Sequence, residues 1–314
     1  MNKLWIADCR LRNGKPFHRE DAKSAKGTKG HNSSVFRSPS RPKPALSLPN
    51  GRLGGSNVLL FITLLSVIWL LSSAVPVYAF SGREVYEHVH EVWTRALNRT
   101  TTVTMTLYDK GGGKRTRTLM EYGKKSGNEA YKTLIVFKTP PDLKDVGFLI
   151  HARSFKDRDL WAYFPEYKRI RRIPDSNQDD SFFGSDFSYD DFGGPPELDD
   201  YTYDILREES IGGLPAYVVE VTPKVRRKFT RYVAWVSKEH WVHLRIDYYQ
   251  DKELYRSGTF RDIKVVDGVP TPMHMEMENK RTGHRTEIVI ENVRYNVEHP
   301  DSLFTQRSLE RAGK

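Results

Sequence analysis

Alternation with a period of two dominates the chain from residue 101 onward. Val103, Met105 and Leu107 alternate with Thr104, Thr106 and Tyr108. Val242, Leu244, Ile246 and Tyr248 alternate with His243, Arg245, Asp247 and Tyr249. Met273, Met275 and Met277 alternate with His274, Glu276 and Glu278, and Ile288 and Ile290 sit between Glu287 and Glu291. Less regular strands are predicted at 131–138, 147–153, 158–164, 203–209, 215–222, 231–237 and 258–266. Turn signals separate the runs, among them Asp109-Lys110-Gly111-Gly112-Gly113, Gly212-Gly213, Asp267-Gly268 and Thr282-Gly283. About ten strands in succession, joined by hairpin-length links, predict an antiparallel sheet. Clean alternation gives it one wet and one buried face.

A twisted sheet of that size curls rather than lying flat. The predicted fold is therefore α+β: a strongly curved antiparallel sheet, an unclosed half-barrel, with helices covering its concave face. Ser81 to Asn98 supplies one helix, opened by the S-x-x-E capping box of Ser81 and Glu84. Val85, Val89, Val92, Trp93 and Ala96 fall on one face of it, and Glu84, Glu87, His88, Glu91 and Arg95 on the other. The segment at 181–200 and a short terminal helix at Ser302–Arg311 are the other candidate covers. An imperfect cover leaves an apolar cavity, which suits a greasy ligand.

Upstream the pattern changes. Val58 to Leu71 is an uncharged apolar run that ends in Ser72-Ser73-Ala74-Val75-Pro76-Val77-Tyr78-Ala79. A basic region, an apolar core and a small-x-small site make up a secretory signal, with cleavage expected after Ala79. The alternative is an uncleaved inner-membrane anchor over residues 58–80. Either way residues 80–314 are expected outside the cytoplasm, in the periplasm. Residues 1–57 carry twelve Lys/Arg against three acids, a net +9 that holds almost all of the chain's +10. They read as a basic disordered leader, or as the product of a start codon called too early. The rest holds 38 basic and 37 acidic residues, so a nucleic-acid partner loses its main support. The division expected is 1–57 leader, 58–79 signal and 80–314 folded domain.

Candidate chemistry is sparse. Cys9 is the only cysteine, so residues 80–314 can hold neither a disulfide nor a thiolate metal site, and no lipobox cysteine follows the apolar run. His88 and His90 are two apart on a helix and point to different sides, against a metal pair. Gly111-Gly112-Gly113-Lys114 lacks the glycine and hydroxyl of a phosphate loop, since positions 108 and 115 are Tyr and Arg. Asp186, Asp190 and Asp191 lack the spacing of a calcium loop, and no nucleophile–base pattern stands out. No cofactor, metal or catalytic residue is expected.

The most informative stretch is 157–193. Leu160, Trp161, Tyr163, Pro165, Lys168, Arg169, Ile170, Arg171, Arg172 and Ile173 form an aromatic strand, a turn and a cationic strand. Ser181, Phe182, Gly184, Ser185, Asp186, Phe187, Ser188, Tyr189, Asp190 and Asp191 follow as an acidic, aromatic segment. This pattern resembles the signature of outer-membrane lipoprotein-sorting (LolA-like) proteins, over roughly residues 80–311 by strand pattern. The resemblance implies a monomeric periplasmic half-barrel whose cavity takes lipid or lipoprotein acyl chains. It implies as membrane partner an exporter of the resistance-nodulation type or a lipoprotein-releasing complex.

Individual residues carry two readings each. Phe182, Phe183, Phe187 and Tyr189, with Phe192, could line or gate the cavity or be ordinary core. Trp93, Met105 and the stripe Met273, Met275 and Met277 could adapt to an apolar ligand or fill gaps. Lys168, Arg169, Arg171 and Arg172 suit lipid phosphates, or pair with Asp179, Asp180, Asp186, Asp190 and Asp191 and pin the acidic segment over the sheet. Three functions remain: a lipid carrier, an exporter-docking module without cargo, and an enzyme. The first is expected.

Overall fold

The computed structural model describes residues 80–311, apart from 128–129 and 155–156. The leader, the apolar run and the cleavage site expected after Ala79 lie outside the described residues. Thirteen strands follow in chain order: β1 (Arg99–Tyr108), β2 (Lys114–Lys125), β3 (Tyr131–Thr139), β4 (Gly147–Ala152), β5 (Arg158–Phe164), β6 (Arg169–Ile173), β7 (Tyr201–Ile211), β8 (Leu214–Pro223), β9 (Arg231–Ser237), β10 (His243–Gln250), β11 (Glu253–Val266), β12 (Val269–Asn279) and β13 (Arg285–Tyr295). All belong to one antiparallel sheet in the order 6-5-4-3-2-1-13-12-11-10-9-8-7. The chain is thus two meanders sewn together where β1 meets β13, with Val103 opposite Ile290. Strands β6 and β7 are free edges, so the curved sheet does not close.

The count exceeds the expected ten. The clearest omission is β2, whose stretch KRTRTLMEYGKK hides Leu119 and Gly123 among cations. Bulges near Thr102, Thr118, Ile205, His243 and Tyr248 shift the register, and such insertions bend and twist a sheet.

Helix α1 (Gly82–Arg95) begins as the capping box predicts: the Ser81 amide donates to Glu84 Oε2 at 2.7 Å, and the Glu84 amide to Ser81 Oγ at 3.2 Å. Its Val85, Tyr86 and Val89 join one core cluster with Met105, Leu119, Ile135, Phe137 and Phe148 of the sheet. We call the sheet face carrying that cluster the inner face. The opposite parity of β3 and β4, at Leu134, Val136 and Leu149, packs with Phe304 and Leu309. Leu309 belongs to α3 (Gln306–Arg311), so the terminal helix expected over the concave side sits on the outer face instead. The segment 174–200 joins the two free edges and carries the four-residue helix α2 (Tyr189–Phe192). No helix among the described residues is long and apolar enough to cross a membrane.

Candidate lipid-binding cavity

Segment 174–200 holds nine acids and no Lys or Arg, yet it runs against the inner face. Phe182 is fully buried, with its ring 5.5 Å from Phe148 and 4.2 Å from Phe192. Phe183 lies 5.0 Å from Phe137 and 6.0 Å from Phe164, and Tyr189 lies 5.4 Å from Phe148. These aromatic anchors bury apolar area and hold the segment as a strap.

Its polar groups are met by single cations on inward-facing strand positions. On β2, Arg117 donates to the Phe183 carbonyl at 2.6 Å. Burial, with Arg115 nearby, pulls the Arg117 pKa down to about 10, so it stays charged at neutral pH. On β5, Arg158 donates to Asp190 Oδ1 at 2.5 Å and to the Gly193 carbonyl at 2.8 Å, and the Tyr131 hydroxyl meets the same carbonyl. On β11, Arg256 donates to Asp191 Oδ2 at 2.8 Å and stacks 4.0 Å from the Tyr248 ring. Burial works against the charge of Arg256, but Asp191 more than offsets it and the guanidinium pKa is raised. Asp186 accepts from Thr286 Oγ1 at 2.7 Å and sits 2.6 Å from His284 Nδ1, while Asp180 lies 3.3 Å from Lys228 Nζ.

The acids are therefore paired, but not with the cations expected. Lys168, Arg169 and Arg171 form no ion pair among the described residues, and Arg172 pairs with Asp159 at 2.7 Å. The reason is topological. Strand β6 is an edge with its cations exposed, and the strap leaves it to cross the inner face toward β7. Sequence reasoning missed Arg117, Arg158 and Arg256. The available signal was parity, since Arg117 shares its face with Leu119 and Arg158 with Leu160.

Between strap, α1 and sheet lies a cavity of about 370 Å³. Tyr86, Val89, Val92 and Trp93 of α1 form one wall. Phe187, Phe192, Pro195 and Pro196 of the strap form another. Met275 and Met277 of β12, Ile288 and Ile290 of β13, and Tyr232, Ile246 and Tyr248 form the floor. The polar lining includes Arg256, Ser188, Asp179, Asp190 and Asp191, together with His90, Arg99 and Thr271. His243 also faces in, 3.3 Å from the Tyr86 hydroxyl, and burial pushes its pKa down to about 4. It does so because a register shift between His243 and Arg245 turns Leu244 outward against Trp235. The regular alternation read from the sequence had kept Leu244 beside Ile246.

Of the residues singled out in the sequence, Trp93, Phe187, Phe192, Met275 and Met277 line the cavity, as do the acids Asp190 and Asp191. Met105 is fully buried in the core, and Phe182, Phe183 and Tyr189 pack beside the cavity without lining it. Met273 is half-buried and outside it. Tyr232, Tyr248 and Arg256 line it without having been anticipated.

Comparison with known proteins places this geometry. The profile of a family described as "Uncharacterized protein" matches residues 129–311, more than half of the chain. No curated protein matches. Among solved structures, a DUF1329 family protein from Desulfovibrio piger superposes with a TM-score of 0.68 at 31% identity, over 73% of this chain and 97% of that one. A putative outer membrane lipoprotein-sorting protein domain from Vibrio parahaemolyticus does so with a TM-score of 0.68 at 26% identity, over 73% and 98%. A LolA superfamily protein from Nitrosomonas europaea shares the fold, with a TM-score of 0.59 at 18% identity over 73% and 100%. The resemblance drawn from residues 160–191 holds at the level of family, and the chain belongs to the DUF1329 family, with LolA-type lipoprotein-sorting proteins as its structural neighbours.

Proposed function

We propose that the protein binds a lipid or the acyl chains of a lipoprotein in the cavity beneath the strap, and transfers them within the periplasm without catalysis. The observation that carries this reading is the cavity itself, about 370 Å³ with a mostly apolar and aromatic lining. That volume lies within the ~300–1,000 Å³ of small-molecule sites. Met275 and Met277 supply an adaptable floor, as a cargo of variable chain length needs. Arg256 stands where a headgroup or ester oxygen would meet a donor, its Nε having no hydrogen-bond partner among the described residues. Helix α1 and the strap act as the cover. The likeness to the V. parahaemolyticus sorting domain supports the cargo class. Delivery to this compartment rests on the signal at 58–79, and exchange involves an inner-membrane exporter or releasing complex.

The test is direct. The chain from Phe80 onward is purified from the periplasm without detergent, extracted with organic solvent and analysed by mass spectrometry. A stoichiometric phospholipid, acyl chain or polyisoprenoid is expected. A clean protein that also refuses a fluorescent fatty acid would overturn the carrier and leave the cargo-free docking module.

A further inference from the structure

The cations left over by the strap are not scattered. Strands β1 to β6 turn at one end of the sheet through residues 109–113, 140–146 and 165–168. Lys110, Lys114, Lys144, Lys168, Arg169 and Arg171 gather at or beside these turns, all exposed, and none forms an ion pair among the described residues. Four acids share this end: Asp109, Asp142, Asp145 and Glu166. Asp109 uses its carboxylate on its own turn, accepting from the Gly111 and Gly113 amides at 2.9 and 2.8 Å. At the opposite end the picture reverses. Lys124 and Lys132 both pair with Asp301, at 3.2 and 2.8 Å, and Arg153 pairs with Asp157 and Asp159 at 2.6 and 2.7 Å. At that end Lys124, Lys132 and Arg153 are matched by acids and the exposed Lys125 is not; at the other, six exposed cations form no ion pair among the described residues.

Tyr167 stands at the tip of the β5–β6 turn, 42% exposed, between Glu166 and Lys168. An exposed tyrosine followed by the cations Lys168 and Arg169 suits a membrane–water interface, where the ring sits among headgroups and the cations meet phosphates.

We propose that this end of the sheet is a docking surface for an anionic phospholipid bilayer. A flat anionic surface meets three neighbouring turns at once, whereas a strand added to the β6 edge would meet only Lys168 to Arg172. Docking there brings the first residues of β6 to the lipid, while the strap leaves that strand at its other end, after Ile173. The inference stands independently of cargo, because it concerns the outside of the sheet.

Vesicle co-sedimentation of the chain from Phe80 onward tests it, since the described residues form their own compact sheet and core. Binding is expected to vesicles of phosphatidylglycerol and phosphatidylcholine and not to phosphatidylcholine alone. It should disappear at about 1 M salt, where the screening length falls to about 3 Å. Each cation near an anionic surface contributes about fivefold. The triple variant Lys168→Gln, Arg169→Gln, Arg171→Gln should therefore bind about a hundredfold more weakly, while Lys124→Gln with Lys132→Gln binds as the parent does. Equal binding to both vesicle types, an unaffected triple variant, or equal weakening by the control pair would overturn the proposal. So would a chain that ignores vesicles but captures an acidic extended peptide along β6.

Discussion

Gly82 is the first residue of α1, and a β-carbon there would lie 2.5 Å from the Tyr203 carbonyl oxygen of β7. The obstacle is backbone, which cannot swing aside, so Gly82→Ala must displace the helix. Such overpacking costs about 1–3 kcal/mol, to be read as a lower denaturation midpoint, with weaker retention of a bound fatty-acid probe beneath the shifted helix. His243 makes a second residue-scale prediction. It is neutral in the fold, with a pKa near 4, and titrates at its ordinary value once unfolded. Between those two values the unfolded chain binds the extra proton. Stability is therefore full above the ordinary value and falls with pH, by about 3 kcal/mol at pH 4. His243→Phe should flatten that part of the pH–stability curve measured by urea denaturation. The sequence could not announce this histidine, because a one-residue bulge decides which face it takes, and nothing in the alternation of Val242 to Tyr249 marks the bulge.

At the scale of elements, the strap and β6 divide the cations into two kinds. Arg158 is buried against Asp190 and the Gly193 carbonyl; Arg171 is exposed on an edge. Removing one partner of a buried pair strands the other charge, so Arg158→Met should cost about 3–5 kcal/mol in urea denaturation. Arg171→Gln should stay within about 0.5 kcal/mol. The sequence made both groups visible as charges and made the acidic segment visible as something needing partners. It pointed to the nearest cations along the chain, whereas the fold supplies distant ones from β2, β5 and β11. Local charge abundance is a poor guide once the chain reverses at an edge. The aromatic residues show the same limit: Phe182 and Phe187 are buried alike, and only the placement of the strap makes one core and the other lining.

Across the whole molecule, strand alternation made the antiparallel, curved sheet legible, and the long motif at 160–191 made the family legible. The order of strands was not. Period-two patterning says which residues share a face but not that β1 pairs with β13 across almost two hundred residues of chain. That seam puts the chain's first and last strands in the middle of the sheet and its middle strands at the edges. Native-state amide exchange should follow this order, slowest in β1, β2 and β13 and fastest at the outward amides of β6 and β7.

The strap has one more consequence. It leaves one edge and arrives at the other, so sheet and strap together make an unbroken ring around whatever lies between them. A guest inside that ring is threaded and cannot step out sideways; it must slide along the axis. Only a molecule with at least one slender end can pass. A tail attached to a large head can be drawn in tail first and withdrawn the same way, its head never entering. A molecule bulky at both ends could be neither loaded nor released while the ring stays intact.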